Sequence, residues 1–140
     1  MDLNEVYKCA EENHIDVLSF ITHNKKAFCI DDGTVQLIAM DYTKIDTEIE
    51  KKEILAEEIS HLKYKLLYFL TDYHNPNFAA NVRKAETKAK RRAAEMLIPL
   101  RELQQVLTQT TNLWELAEIF DTSETTVRIA LDHYRRKNLI

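Results

Sequence analysis

Glu57, Glu58 and His61 fall within "LAEEISHLKY", residues 55–64, a stretch with helical periodicity. At about 100° per residue, Glu57 and His61 share one narrow sector of such a helix, and Glu58 flanks it. Positions i and i+4 project side by side, which is the spacing of the two ligands in an H-E-x-x-H metal helix. The chemistry needs that spacing. Two ligands one turn apart can grip a single divalent ion, while the intervening carboxylate leans over the ion's open position and can take a proton from water. The bland alternative is a solvated charged face, which arises often by chance. One pattern speaks against it: Ile54, Glu57, His61, Tyr64 and Tyr68 form a stripe nearly opposite the apolar stripe of Leu55, Ile59, Leu62, Leu66 and Leu70. A helix packed on both sides would put the acids and the imidazole at the floor of a cleft. A partly buried carboxylate there needs a partner, and a cation would be one.

The third ligand must come from another element. In "RKAETKAKRRAAEMLIP", Glu86, Ala89, Ala93 and Leu97 share one helical face. Two alanines on that face would let this helix approach the motif helix closely and deliver Glu86 beside Glu57 and His61. The cations around it (Arg83, Lys84, Lys88, Lys90, Arg91, Arg92) read most simply as a solvated face. They could also offset the acid-rich "DTEIEKKEILAEE"; a nucleic-acid patch is the least favoured of the three readings.

The elements that must position these residues can be read from periodicity and punctuation. Residues 2–13 predict a short amphipathic helix with Leu3, Val6, Tyr7 and Ala10 on one side. "VLSFIT", "AFCI" and "VQLIAM" predict a sheet of two or three strands, with a hairpin at Asp32-Gly33. A long helix is expected from Lys44 to about Leu70, broken by Pro76; a second over roughly 79–97, ending near Pro99; and a short one over about 100–108. "TNLWELAEIFDTSETTVRIALDHYRRK" predicts two further helices, the second capped by Ser123 or Thr122. Trp114 is expected to anchor the core.

The 140 residues suit one domain, with residues 1–108 expected as its main body and 109–140 as a helical subdomain packed on it. A single Gly and two Pro favour helices over tight turns. The formal net charge of −4 argues against a protein whose main task is to coat nucleic acid. Cys9 and Cys29 show no metal-ribbon or redox spacing and read as reduced thiols. With no signal-peptide pattern and no membrane-length apolar run, a cytoplasmic protein without a membrane partner is expected.

"ILAEEISHLKY" followed by "AETKAKRRAAEMLIP" resembles the ImmA/IrrE family of metallo-endopeptidases, especially its phage and mobile-element members. That family pairs an H-E-x-x-H helix with a downstream segment of the form E-x-x-A-N-x-F-A-A-x-L-L-M-P. Glu86, Ala89, Ala93, Ala94, Leu97 and Pro99 match the segment without a gap, and Met96 and Ile98 are conservative variants. The resemblance spans about residues 14–135. It implies an α+β, mostly helical fold: a zincin-like core with a small sheet, a central motif helix and a C-terminal helical subdomain. By position it implies Glu57, His61 and Glu86 as metal ligands, Glu58 as general base, and a helix-turn-helix repressor as the protein substrate. The sequence departs from the pattern at Glu57, where the first histidine usually stands, at Ser60 for Gly, and at Lys90 and Arg92 for Asn and Phe. Two carboxylates and one imidazole make a harder, more negative site, which would hold Zn²⁺ less selectively against Mn²⁺ or Fe²⁺.

Two other functions fit the same residues. The fold could carry a degenerate site and disable a repressor by contact alone. Alternatively, "LWELAEIFDTSETTVRIALDHYRRK" could act as a helix-turn-helix, with Thr125, Thr126 and Arg128 opening a DNA-recognition helix. The acidic balance and the lack of a basic recognition face disfavour the DNA reading.

Overall fold

The computed structural model describes residues 1–68 and 72–140. Leu70, the last member of the expected apolar stripe, lies outside the described residues. The fold is α+β and predominantly helical. Helix α1 (Leu3–Glu12) leads into strands β1 (Ile15–Ser19), β2 (Ala27–Asp31) and β3 (Gln36–Met40). Helices α2 (Glu48–Lys63), α3 (Phe78–Leu97), α4 (Leu100–Leu107), α5 (Leu113–Phe120) and α6 (Glu124–Arg136) follow.

The expected punctuation operates as the chemistry requires. Asp2 caps α1 in a reciprocal capping box with Glu5. At the β2–β3 hairpin Gly33 adopts φ 86°, a conformation that costs glycine little. The carboxylates of Asp31 and Asp32 accept the turn's backbone N–H groups from Gly33, Thr34 and Val35. The three strands form one mixed sheet in the order β1-β3-β2, with β1 parallel and β2 antiparallel to β3.

Helix α2 is shorter than its periodicity predicts. Residues 42–44 form a separate 3₁₀ turn, and Thr47 caps the helix by accepting the N–H of Glu50. At the other end the chain leaves the helix after Lys63, and Lys65 takes a left-handed conformation (φ 56°). Leu66 therefore projects from a loop, not from the helix. Within α2 itself Leu55, Ile59 and Leu62 are fully buried, as are Ala56 and Ser60 on other faces. Helices α1 and α3 and strands β2 and β3 all pack against α2. The expected second stripe is realised only in part, because Tyr64 is exposed and both Tyr64 and Tyr68 lie beyond the end of the helix.

Helix α3 makes its approach through Ala85, Ala89 and Ala93, all buried, with Leu97 closing the far end. One apolar core runs from Val6 through Ile38, Leu55, Ile59 and Leu97 to Leu116, Val127 and Tyr134. The C-terminal helices are tied to α2 by polar contacts too. Glu53 accepts the N–H (2.7 Å) and hydroxyl (3.0 Å) of Ser123, the N-cap of α6. Buried Lys52 donates to the carbonyls of Met1 and Asp121 and faces the Asp121 carboxylate at 3.5 Å. Trp114 departs from expectation: it is 51% exposed, because the interior face of α5 is supplied by Leu116, Ala117 and Phe120.

Leu62 tests the central position of α2. It has no solvent exposure, so Leu62→Ala is expected to lower unfolding free energy by about 2–5 kcal/mol. Chemical denaturation reads this as a lower midpoint with an unchanged slope.

Candidate metal centre

Glu57 and His61 stand one turn apart on α2, and Glu86 reaches them from α3. One ligand atom from each of the three lies within 4.8 Å of the others. His61 is buried and the two carboxylates are half-buried. The imidazole is oriented by the chain leaving the helix: its Nδ1–H donates to the carbonyl of Leu66 at 2.6 Å. That bond turns Nε2 toward Glu86, whose Oε1 is 3.4 Å away. The early end of α2 thus has a use, since a helix continued to residue 70 would hold the Leu66 carbonyl in its own ladder.

The three groups fit a divalent cation. Zinc bonds of about 2.0–2.1 Å at a tetrahedral centre set neighbouring ligand atoms about 3.3 Å apart, close to the observed His61–Glu86 separation. The donor set is hard oxygen plus imidazole, and an outer partner, the Leu66 carbonyl, fixes the tautomer as metal-binding histidines require.

The same groups are strongly perturbed without an ion. Burial pushes the Glu57 carboxyl above the usual carboxylate range, and its hydrogen bond with Glu86 adds to the rise. Glu86 moves the opposite way, held low mainly by its hydrogen bond to His61. Burial works against a charged His61, but the bonds to Glu86 and the Leu66 carbonyl outweigh it and lift the imidazole to about 9. Of the two carboxyls, Glu57 is thus the one that favours its proton and Glu86 the one that favours the ionised form, with the charged imidazole of His61 favoured beside it.

Glu58 lines the same cavity, a space of about 760 Å³ bounded by β2, α2, α3 and the loop after α2. Burial raises the pKa of its carboxyl, and the thiol of Cys29 on β2 hydrogen-bonds to it. A raised, partly dehydrated carboxyl beside a cation site is the state a general base needs. Ile54, Leu66, Leu67 and Val82 supply apolar walls, and Lys25 stands at the rim.

Among Tyr64, Tyr68, Tyr73 and His74, all close in sequence to the motif, Tyr68 alone lines this cavity. Its hydroxyl donates to Glu86 at 3.4 Å. Tyr64 instead stacks under the guanidinium of Arg92, 4.4 Å from the ring centroid, and Tyr73 packs against His74. Cys29 and Lys25 had no motif to mark them. The alternation of β2 could have placed Cys29 on the inward face with Ala27, but nothing local ties either residue to Glu58.

The residues of the DNA-recognition reading are dispersed. Thr125 and Arg128 are exposed on α6, but Thr126 is buried beneath the Ser123 cap at 9% exposure. The outer face of α6 also carries Glu124 and Asp132, the latter paired with Arg136. Among the described residues, no helix is long and apolar enough to cross a membrane. No protein-family model, no curated protein and no solved structure matches the chain.

Proposed function

We propose that this chain is a metal-dependent endopeptidase with a zincin-like core, of the kind its resemblance to the ImmA/IrrE family implies. The observation that carries the proposal is the convergence of Glu57, His61 and Glu86 from two neighbouring helices at the floor of a cavity that also holds Glu58. Glu57, His61 and Glu86 would hold the ion, with Zn²⁺ as the first candidate and Mn²⁺ or Fe²⁺ admitted by the two carboxylates. When bound, the ion supplies Lewis acidity. Glu58 takes the proton of the attacking water as a general base and passes it to the departing amine as a general acid, so the one carboxyl acts in both directions. The apolar walls receive substrate side chains, and Tyr68 steadies Glu86 from outside the ligand set. The substrate is a protein chain, and the resemblance points to a helix-turn-helix repressor.

Metal analysis tests this. Protein purified without chelator or metal-affinity resin is expected to carry close to one equivalent of a divalent ion, and His61→Ala to carry essentially none. Metal-free wild-type protein that fails to take up Zn²⁺, Mn²⁺ or Fe²⁺ at micromolar concentration would remove the enzyme reading.

One observation favours the contact-only alternative. Glu86 lies 3.4 Å from His61 Nε2, so the imidazole can serve as the partner that a half-buried carboxylate needs. A protein that disables a repressor by binding alone would need no more. Loss of repressor function that persists in His61→Ala would select that reading.

A further inference from the structure

The face of the sheet turned away from the helices is apolar, and its exposure is unusual. Side chains alternate along each strand, and Ile15, Ile38, Met40 and Ala27 point inward to the core. The register then sets Leu18 of β1 beside Ala39 of β3, and Ala39 beside Phe28 of β2, all on the outward side, where the small Ala39 is itself buried between larger neighbours. The neighbouring row holds Leu37 and Ile30, with Asp16 at the β1 margin. Just past the strands, the Phe20 ring meets Phe28 edge-to-face at 5.9 Å between centroids, and Val35 shares the parity of Leu37.

A sheet face turned to water normally reads polar along this alternation. Here the outward positions of all three strands hold one charged residue, Asp16. Leu18 is 51% exposed, Phe20 56%, and Ile30 and Val35 45% each. Side chains of these sizes and exposures, with partly buried Phe28 and Leu37, present roughly 500 Å² of contiguous apolar surface, the scale at which patches mark association sites.

We propose that two copies of this chain pack through this face, sheet against sheet about a two-fold axis. The area supports that occupant. Pairing two such faces buries about 1,000 Å² of apolar surface before any polar rim is counted, which reaches the size a specific interface needs. The face suits self-pairing, because an isologous contact sets each residue against the same patch of its partner. No charge lies at its centre to meet its own copy, and Asp16 stands at the edge. Two sheets packed in this way lie about 10 Å apart, with large side chains filling the gap. No ligand of the metal centre belongs to this face, although Phe28 and Ile30 on the edge strand β2 also border that cavity.

Sedimentation equilibrium of the full chain from about 1 to 200 µM is the test. The expected result is reversible dimerisation in the micromolar range, as an interface near the lower size limit implies. Leu18→Glu together with Ile30→Glu is expected to weaken association at least tenfold and leave a monomer across the range. Phe20→Ser with Val35→Thr, which lie outside the strands, serves as a second variant should the first misfold. It is expected to shift the dissociation constant in the same direction with an unchanged circular dichroism spectrum. A monomeric wild type at 200 µM overturns the proposal. So does a dimer indifferent to both variants, which would place the interface elsewhere. A monomer whose Leu18 and Ile30 are needed for binding phosphatidylcholine–phosphatidylglycerol vesicles, or for holding a different protein, also overturns it and gives the face another occupant.

Discussion

Glu58→Gln is expected to reduce peptide-bond hydrolysis by about 10²–10⁴-fold, the usual contribution of a positioned general base. The substitution is nearly isosteric and leaves Glu57, His61 and Glu86 in place, so metal content is expected to stay at the wild-type value. Stability is expected to hold or rise at pH values above the ordinary carboxylate range. The sign follows from the direction of the shift: burial raises the Glu58 pKa, so its ionised form is the one the fold disfavours. A neutral amide removes that cost, together with the repulsion from Glu86. Cys29, whose thiol donates to the carboxylate, finds an acceptor in the Gln carbonyl. Hydrolysis of a quenched fluorescent peptide pool at fixed metal concentration measures the effect, with thermal melts of both proteins alongside. A Gln variant that cleaves at the wild-type rate would remove Glu58 from the chemistry while leaving the ion site untouched. A wild type that cleaves nothing, yet binds metal, would point to the contact-only function.

The convergence of Glu57, His61 and Glu86 was legible in the sequence because much of its geometry is local. The i and i+4 spacing of Glu57 and His61 follows from helix pitch alone. The delivery of Glu86 follows from small residues on one face of α3, where Ala89 and Ala93 are indeed buried against α2. Asp32-Gly33 and Ser123 announce their turn and cap by backbone chemistry that depends on nothing distant. The features that escaped are those set by tertiary contacts. Periodicity continues through Leu66, so it carries α2 past its true end; the chain turns at Lys65, and the Leu66 carbonyl is spent on His61. Trp114 reads as core by type, but the inward face of α5 is filled without it. Thr126 reads as a DNA contact by position, yet packing at the start of α6 buries it. The outward apolar face of the sheet was invisible for a related reason. Runs such as "VLSFIT" and "VQLIAM" predict strands but do not say which side the helices will cover.

Metal affinity is expected to rise with pH, by up to about 100-fold per unit across the neutral range. In the ion-free centre Glu57 keeps its proton and His61 is charged up to about 9, while Glu86 is already ionised. An ion needs a carboxylate at Glu57 and a neutral imidazole at His61. Binding therefore expels up to two protons, and the slope of log affinity against pH approaches two while both groups are protonated. It flattens once pH exceeds the His61 value. Glu57→Gln removes one of the two protons and should bring the slope toward one, with weaker binding at high pH. Stability of the ion-free protein runs the other way. Both groups have pKa values raised by folding, so their contribution is complete below the unfolded values, about 4.3 for Glu and 6.5 for His, and is lost as pH rises through the folded ones. The thermal midpoint of metal-free protein should thus decline as pH climbs toward 9, and added metal should restore most where the decline is greatest. Titration of Zn²⁺ by calorimetry in buffers of different ionisation enthalpy counts the released protons directly. A count near zero at pH 7 would mean that Glu57 and His61 are already deprotonated there, and the proton-coupled binding would have to be abandoned.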